Sequence, residues 1–199
     1  MEAIPKTRLE TFSDGVIAIV ITIMVLEMRA PHSAELAALR PLLPVFLSYV
    51  LSFTFLGIYW NNHHHLLHAA QRINGRIMWA NLHLLFWLSL IPFTTRWIGE
   101  NHGGSWPTAL YGVILLMAAI AYTMLQRVIV ASQGKDSRLA AALGSDWKGK
   151  LSLGSYAVAV LLAFVDQRLA DALYVFVAIL WLIPDPRLER LPRPGASAE

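Results

Sequence analysis

The run Val16-Ile-Ala-Ile-Val-Ile-Thr-Ile-Met-Val-Leu26 holds a single polar side chain, yet Arg8, Ser13 and Asp14 stand directly before it. A helix through this segment is apolar enough to enter a bilayer, and it carries those polar groups in at its mouth. A charge in hydrocarbon costs about 2.5–3.5 kcal/mol on insertion scales, so an intramembrane carboxylate marks a functional or anchoring position. Asp14 thus constrains the whole fold, because the remaining segments must meet it with partners.

The composition agrees with a chain that lives in lipid. Of 199 residues, 56% are hydrophobic and 15% charged, against about 25% charged in soluble domains. The net charge of +3 comes from residues outside the apolar segments, which fits membrane topology and not nucleic-acid binding. The absence of cysteine excludes disulfides, thiol catalysis and thiolate metal sites. The first apolar run contains an aspartate and no small-residue cleavage site follows it, so it is expected to remain as a helix and not to be a cleaved signal. No Gly-x-Ser-x-Gly turn or Walker lysine occurs, so no enzyme and no cofactor is expected.

Spanning helices need roughly 20 mostly apolar residues. Six segments approach that length, at about 10–29, 43–67, 76–98, 106–130, 150–167 and 169–184, the last being the shortest. The predicted fold is an all-α integral membrane protein of six transmembrane helices. Residues 1–184 form one transmembrane domain, and the proline-rich stretch 185–199 is expected to be a disordered tail. Lys6, Arg8, Arg72, Arg76, Arg127, Lys135, Arg138, Lys148, Lys150, Arg187, Arg190 and Arg193 fall on one side of these spans; only Arg29, Arg40, Arg96 and Arg168 fall on the other. The positive-inside rule then puts both termini in the cytoplasm. Pro92 marks a kink or helix end in the third segment.

With that topology three polar clusters meet at one depth: Arg8, Ser13 and Asp14 on helix 1, the Asn61–His68 run ending helix 2, and Arg76, Asn81 and His83 opening helix 3. In lipid such groups turn inward and satisfy one another. Asp14 is expected to accept from an arginine, histidine or asparagine of this set. His64 and His68 share a helical face, which admits a metal or a proton-sensing site. A structural role is favoured, because a zinc site needs three or four ligands and Asp14 is the only carboxylate nearby. Glu27 at the outer end of helix 1 reads as a solvated end residue in preference to one that attracts cations to a mouth.

Ile19, Thr22, Ile23 and Leu26 recur at helical spacing and lie on one face of helix 1. Ordinary packing explains such a stripe. So does a ring of several copies of helix 1 enclosing a hydrophobic constriction, the kind of element that gates by dewetting; one helix cannot enclose a pore, so this reading requires a homo-oligomer.

Arg8-x3-Phe12-Ser13-Asp14 with the following apolar run, Tyr59-Trp60-Asn61-Asn62-His63-His64, and Asn81-Leu82-x-Leu84-Leu85-Phe86 with Ser89-Leu90-Ile91-Pro92-Phe93-Thr94 resemble the transmembrane protein 175 family. That resemblance implies a potassium-permeable cation channel assembled as a homotetramer and lined by helix 1. It implies that Ile19 forms the narrowest constriction, that Thr22 bears on potassium preference and that Leu26 adds an apolar layer. Arg8, Phe12, Ser13, Asp14, His63, His64 and Asn81 would then form a structural network holding the pore helix. The implied partners are other copies of the chain, monovalent cations and the bilayer of a prokaryotic plasma membrane. The alternative is a proton-coupled transporter using Asp14 and the histidines, against which the lack of an internal repeat weighs.

Overall fold

A computed structural model describes residues 5–101, 104–133 and 146–183. They fold into helices throughout: α1 (Lys6–Leu26), a 3-10 segment (Leu36–Leu42), α2 (Leu43–Ala69), α3 (Gly75–Ser89), α4 (Ile91–Glu100), α5 (Ser105–Gln133), α6 (Trp147–Leu162) and α7 (Gln167–Leu182). The expected disordered tail, residues 185–199, lies outside the described residues, as do residues 134–145.

The helix ends follow from local chemistry. Proline occupies the first turn of α2 (Pro44), α4 (Pro92) and α5 (Pro107), where its missing N–H is no loss. Asn74 caps α3 by accepting from the Ile77 amide at 3.0 Å. Asp146 and Asp166 cap α6 and α7 in the same way, each at 2.9 Å. Pro92 cannot donate to the carbonyl four residues back, so the third predicted segment breaks at Leu90 into α3 and α4. The two halves still form one bent rod.

Four of the rods are long and apolar enough to cross a membrane: α1, the 3-10 segment with α2, α3 with α4, and α5. The last two helices have 16 residues each, about 24 Å at 1.5 Å per residue, a little under a hydrocarbon core of about 30 Å.

Beside an apolar interior, several polar side chains are buried and many large apolar ones are exposed. Ser13, Ser52, His63, Asn81, Thr94 and Thr108 are fully or almost fully buried, whereas Leu26, Trp79, Trp106 and Val165 are at least 70% exposed. Lipid is as apolar as leucine, so leucine stays outside at little cost, while buried polar groups need internal partners; of those named, only the Thr108 hydroxyl lacks one among the described residues. What holds the rods together is close packing. The α5 core is built from Leu115, Ala118, Ala121 and Leu125, all fully buried, against α3 and α6. Small residues let backbones approach: a side chain at Gly99 would come within 2.9 Å of the Val45 Cα, and one at Gly112 would overlap the Tyr174 hydroxyl.

Gly112→Val therefore overpacks the α5–α7 contact, at a cost of about 1–3 kcal/mol. Thermal unfolding in detergent should show the loss, while Gly154→Ala, which meets no atom within 4 Å and replaces a glycine in a helix interior, does not lower the midpoint. Equal midpoints for both variants would contradict this packing.

Candidate functional site

α1 buries Leu9, Ser13, Ile17, Val20 and Met24, a stripe at steps of three and four residues. That stripe lies against α2, α3 and α4. Polar contacts hold it at both ends.

Near the N-terminal end, His63 of α2, Asn81 of α3 and Ser13 of α1 converge, all at most 1% exposed. His63 Nε2 and Asn81 Oδ1 are 2.6 Å apart. Asn81 Nδ2 donates to Ser13 Oγ at 2.9 Å, and Ser13 Oγ donates to the Leu9 carbonyl at 2.8 Å. Because the Asn81 oxygen accepts, His63 donates from Nε2, and the bonds run in one direction from α2 through α3 into α1. Lys6 adds a tie, its Nζ 2.7 Å from the His68 carbonyl at the end of α2, where carbonyls lack helical partners.

Asp14 does not join this chain. Successive helical residues are turned by about 100°, so Ser13 points into the three-helix seam and Asp14 beside it reaches the flank of α2. There its carboxylate accepts from Trp60 Nε1 at 3.0 Å on the exposed side. The expected arginine, histidine or asparagine donor is replaced by a tryptophan. Arg8, Phe12 and His64 are exposed, and no side-chain hydrogen bond of Arg8 or His64 occurs among the described residues. His64 stacks on His68 with ring centroids 6.1 Å apart. Among the described residues no group of three or more His, Cys, Asp or Glu is placed to hold a metal ion.

At the C-terminal end, the fully buried Ser52 of α2 is 2.7 Å from Thr95 Oγ1 and 3.0 Å from the Tyr111 hydroxyl, joining α2, α4 and α5 beneath Met24. Glu27, which caps α1, forms an ion pair with Arg96 of α4, whose Nε also reaches Glu100 at 2.9 Å. Glu27 is thus a tethered end of α1, not a freely solvated one. These contacts were missed in the sequence because serine and threonine inside apolar runs carry no spacing signal of their own.

The opposite face of α1 has no partner among the described residues. Ile19 is 59% exposed, Ile23 41% and Leu26 79%. Thr22 is exposed beside them, its hydroxyl donating to the Ile19 carbonyl at 2.8 Å.

Long apolar helices, an internally paired polar seam and bare apolar faces define an all-helical integral membrane protein whose first helix is pinned on one side and free on the other. Residues 8–92 match the family model described as the endosomal/lysosomal potassium channel TMEM175. A protein of Chryseobacterium sp. (strain P1-3) named as a potassium channel is 51% identical over 185 residues, covering 93% of this chain and 96% of that one. A Streptomyces collinus protein, also named as a potassium channel, is 29% identical over 87% of this chain and 90% of its own. The crystal structure of a protein described as a lysosomal potassium-selective channel TMEM175 homolog from Chamaesiphon minutus superposes with a TM-score of 0.78 at 26% identity, covering 89% of this chain and 96% of that chain. The chain belongs to the TMEM175 family.

Asn81→Leu removes both the acceptor for His63 and the donor for Ser13. Leaving a buried polar group unpaired costs about 1–3 kcal/mol, so a fall in detergent unfolding midpoint is expected, larger than for Trp60→Phe at the exposed Asp14 contact. The reverse order would contradict the seam as the main anchor.

Proposed function

We propose that this protein is a potassium-permeable cation channel of the prokaryotic plasma membrane, a homotetramer with α1 around its axis. The observation that carries the reading is the two-sided character of α1: polar contacts fix one face to α2, α3 and α4, and the face bearing Ile19, Thr22, Ile23 and Leu26 stays bare. The names of the relatives and the likeness to a potassium-channel structure support conduction of potassium along that face.

In a ring of four copies, Ile19, Ile23 and Leu26 form apolar layers that pass ions only when wetted. Thr22 lies between them. Its hydroxyl hydrogen is engaged by the Ile19 carbonyl, so the oxygen turns lone pairs outward, the chemistry a partly dehydrated cation requires. Residues 1–184 act as one transmembrane domain in which all six rods cross the bilayer, both termini facing the cytoplasm. The excess of lysine and arginine on the terminal side supports that orientation. Arg8, Phe12, Ser13, Asp14, His63, His64 and Asn81 make up the supporting end of the pore helix, with the His63–Asn81–Ser13 chain as its buried part. The proton-coupled alternative is not favoured: the buried chain ends on the Leu9 carbonyl and does not lead to Asp14.

Purified protein reconstituted in liposomes should carry a passive potassium flux. Ile19→Asn, which wets the constriction, should raise it several-fold. An intact oligomer without flux at any voltage or pH overturns the proposal, and so does a monomer in detergent.

A further inference from the structure

The outer end of α1 carries an electrostatic conflict. Glu27 caps the C-terminus of the helix, where unpaired carbonyls already carry about half a negative charge and a carboxylate is unfavourable. The conflict is resolved from another element. Arg96 of α4 forms an ion pair with Glu27 while its Nε reaches Glu100 one turn on. Only about a third of the Arg96 and Glu27 side-chain surface is open to solvent. Below them Thr95, the neighbour of Arg96, bonds Ser52 and contacts Met24 Sδ at 3.9 Å, so the arginine stands on a braced turn.

From this geometry we infer that Arg96 sets the cation supply of the pore: by pairing with Glu27 it holds the end of α1 in place and cancels a carboxylate that would otherwise concentrate cations at the mouth. The inference rests on the pore reading above. In a ring of four chains, Glu27 lies one residue past Leu26 and so at the rim of the last apolar layer. Each Glu27–Arg96–Glu100 cluster carries a net single negative charge. Removing the arginine leaves two unpaired carboxylates per chain, and removing Glu27 leaves a neutral Arg96–Glu100 pair. Charges at a pore mouth act on ions through the local potential, and that potential is screened over about 30 Å at 0.01 M salt but only about 3 Å at 1 M. Arg96 is accordingly a positioning and conductance-setting residue that touches no ion itself.

The test is potassium conductance of single channels in planar bilayers, with wild type, Arg96→Gln, Arg96→Lys, Glu27→Gln and the double variant Arg96→Gln/Glu27→Gln, at 0.01 M and 1 M KCl. At low salt Arg96→Gln should conduct at least about twofold more than wild type, Glu27→Gln less, and the double variant near wild type. At 1 M KCl, where screening removes charges farther than about 3 Å, the differences should vanish. Arg96→Lys keeps the charge and should keep wild-type conductance. If Arg96→Gln does not assemble, the double variant, which leaves Glu27 no charge to strand, must assemble and conduct; its failure overturns the pairing. A low-salt conductance of Arg96→Gln equal to or below wild type in an intact oligomer overturns the inference while the pore reading stands. Absence of current in wild type sinks the pore reading instead.

Discussion

Everything in this structure depends on a rule of the solvent: in hydrocarbon a polar group has no partner except another part of the protein. Helix α1 obeys it on one side only. Ser13 is matched with Asn81 and His63, the α1–α4 contact is closed by Glu27 with Arg96, and the serine–threonine–tyrosine cluster of Ser52, Thr95 and Tyr111 braces the elements behind. Each hydrogen bond is individually modest, about 0.6 kcal/mol on average between membrane helices. Their placement at the two ends of one rod fixes its tilt and rotation more firmly than their sum suggests.

That fixed rotation gives the bare face its meaning. A stripe of isoleucine, threonine and leucine on a freely turning helix is lipid-facing filler. On a helix that cannot turn, it is a surface of defined direction. The gain in apolar contact from burying it against copies of itself is small in lipid, since lipid tails offer comparable contact. The proposed assembly of four therefore leans on close packing of other exposed faces, and the proposed apolar lining governs wetting and not stability.

Much of this was legible in the sequence. The apolar runs located the rods among the described residues, four of them at the length that bilayer thickness sets and the last two short of it, and Pro92 marked the break between α3 and α4. The convergence of Ser13, Asn81 and the histidine run was readable once lysine and arginine counts placed three helix ends at one depth. The choice of partners was not. Ser13 and Asp14 differ by one position, and only the rotation of α1 against its neighbours decides that Ser13 enters the seam while Asp14 meets Trp60. The Glu27–Arg96 pair was equally hidden: it joins residues 69 positions apart, and Glu27 reads alone as a solvated helix end. Arg8 and Phe12 carry part of the sequence resemblance, yet both are exposed among the described residues, so contacts between these helices do not account for them.

The most direct test of the account uses the absence of cysteine. Single cysteines placed along α1 can be probed with a positively charged, membrane-impermeant thiol reagent while potassium current is recorded. Block is expected at positions 19, 22, 23 and 26 and none at Ile17, Val20 and Met24, which face α2, α3 and α4. Block at the buried set, or none at the exposed set in a conducting channel, would contradict a pore lined by this face of α1.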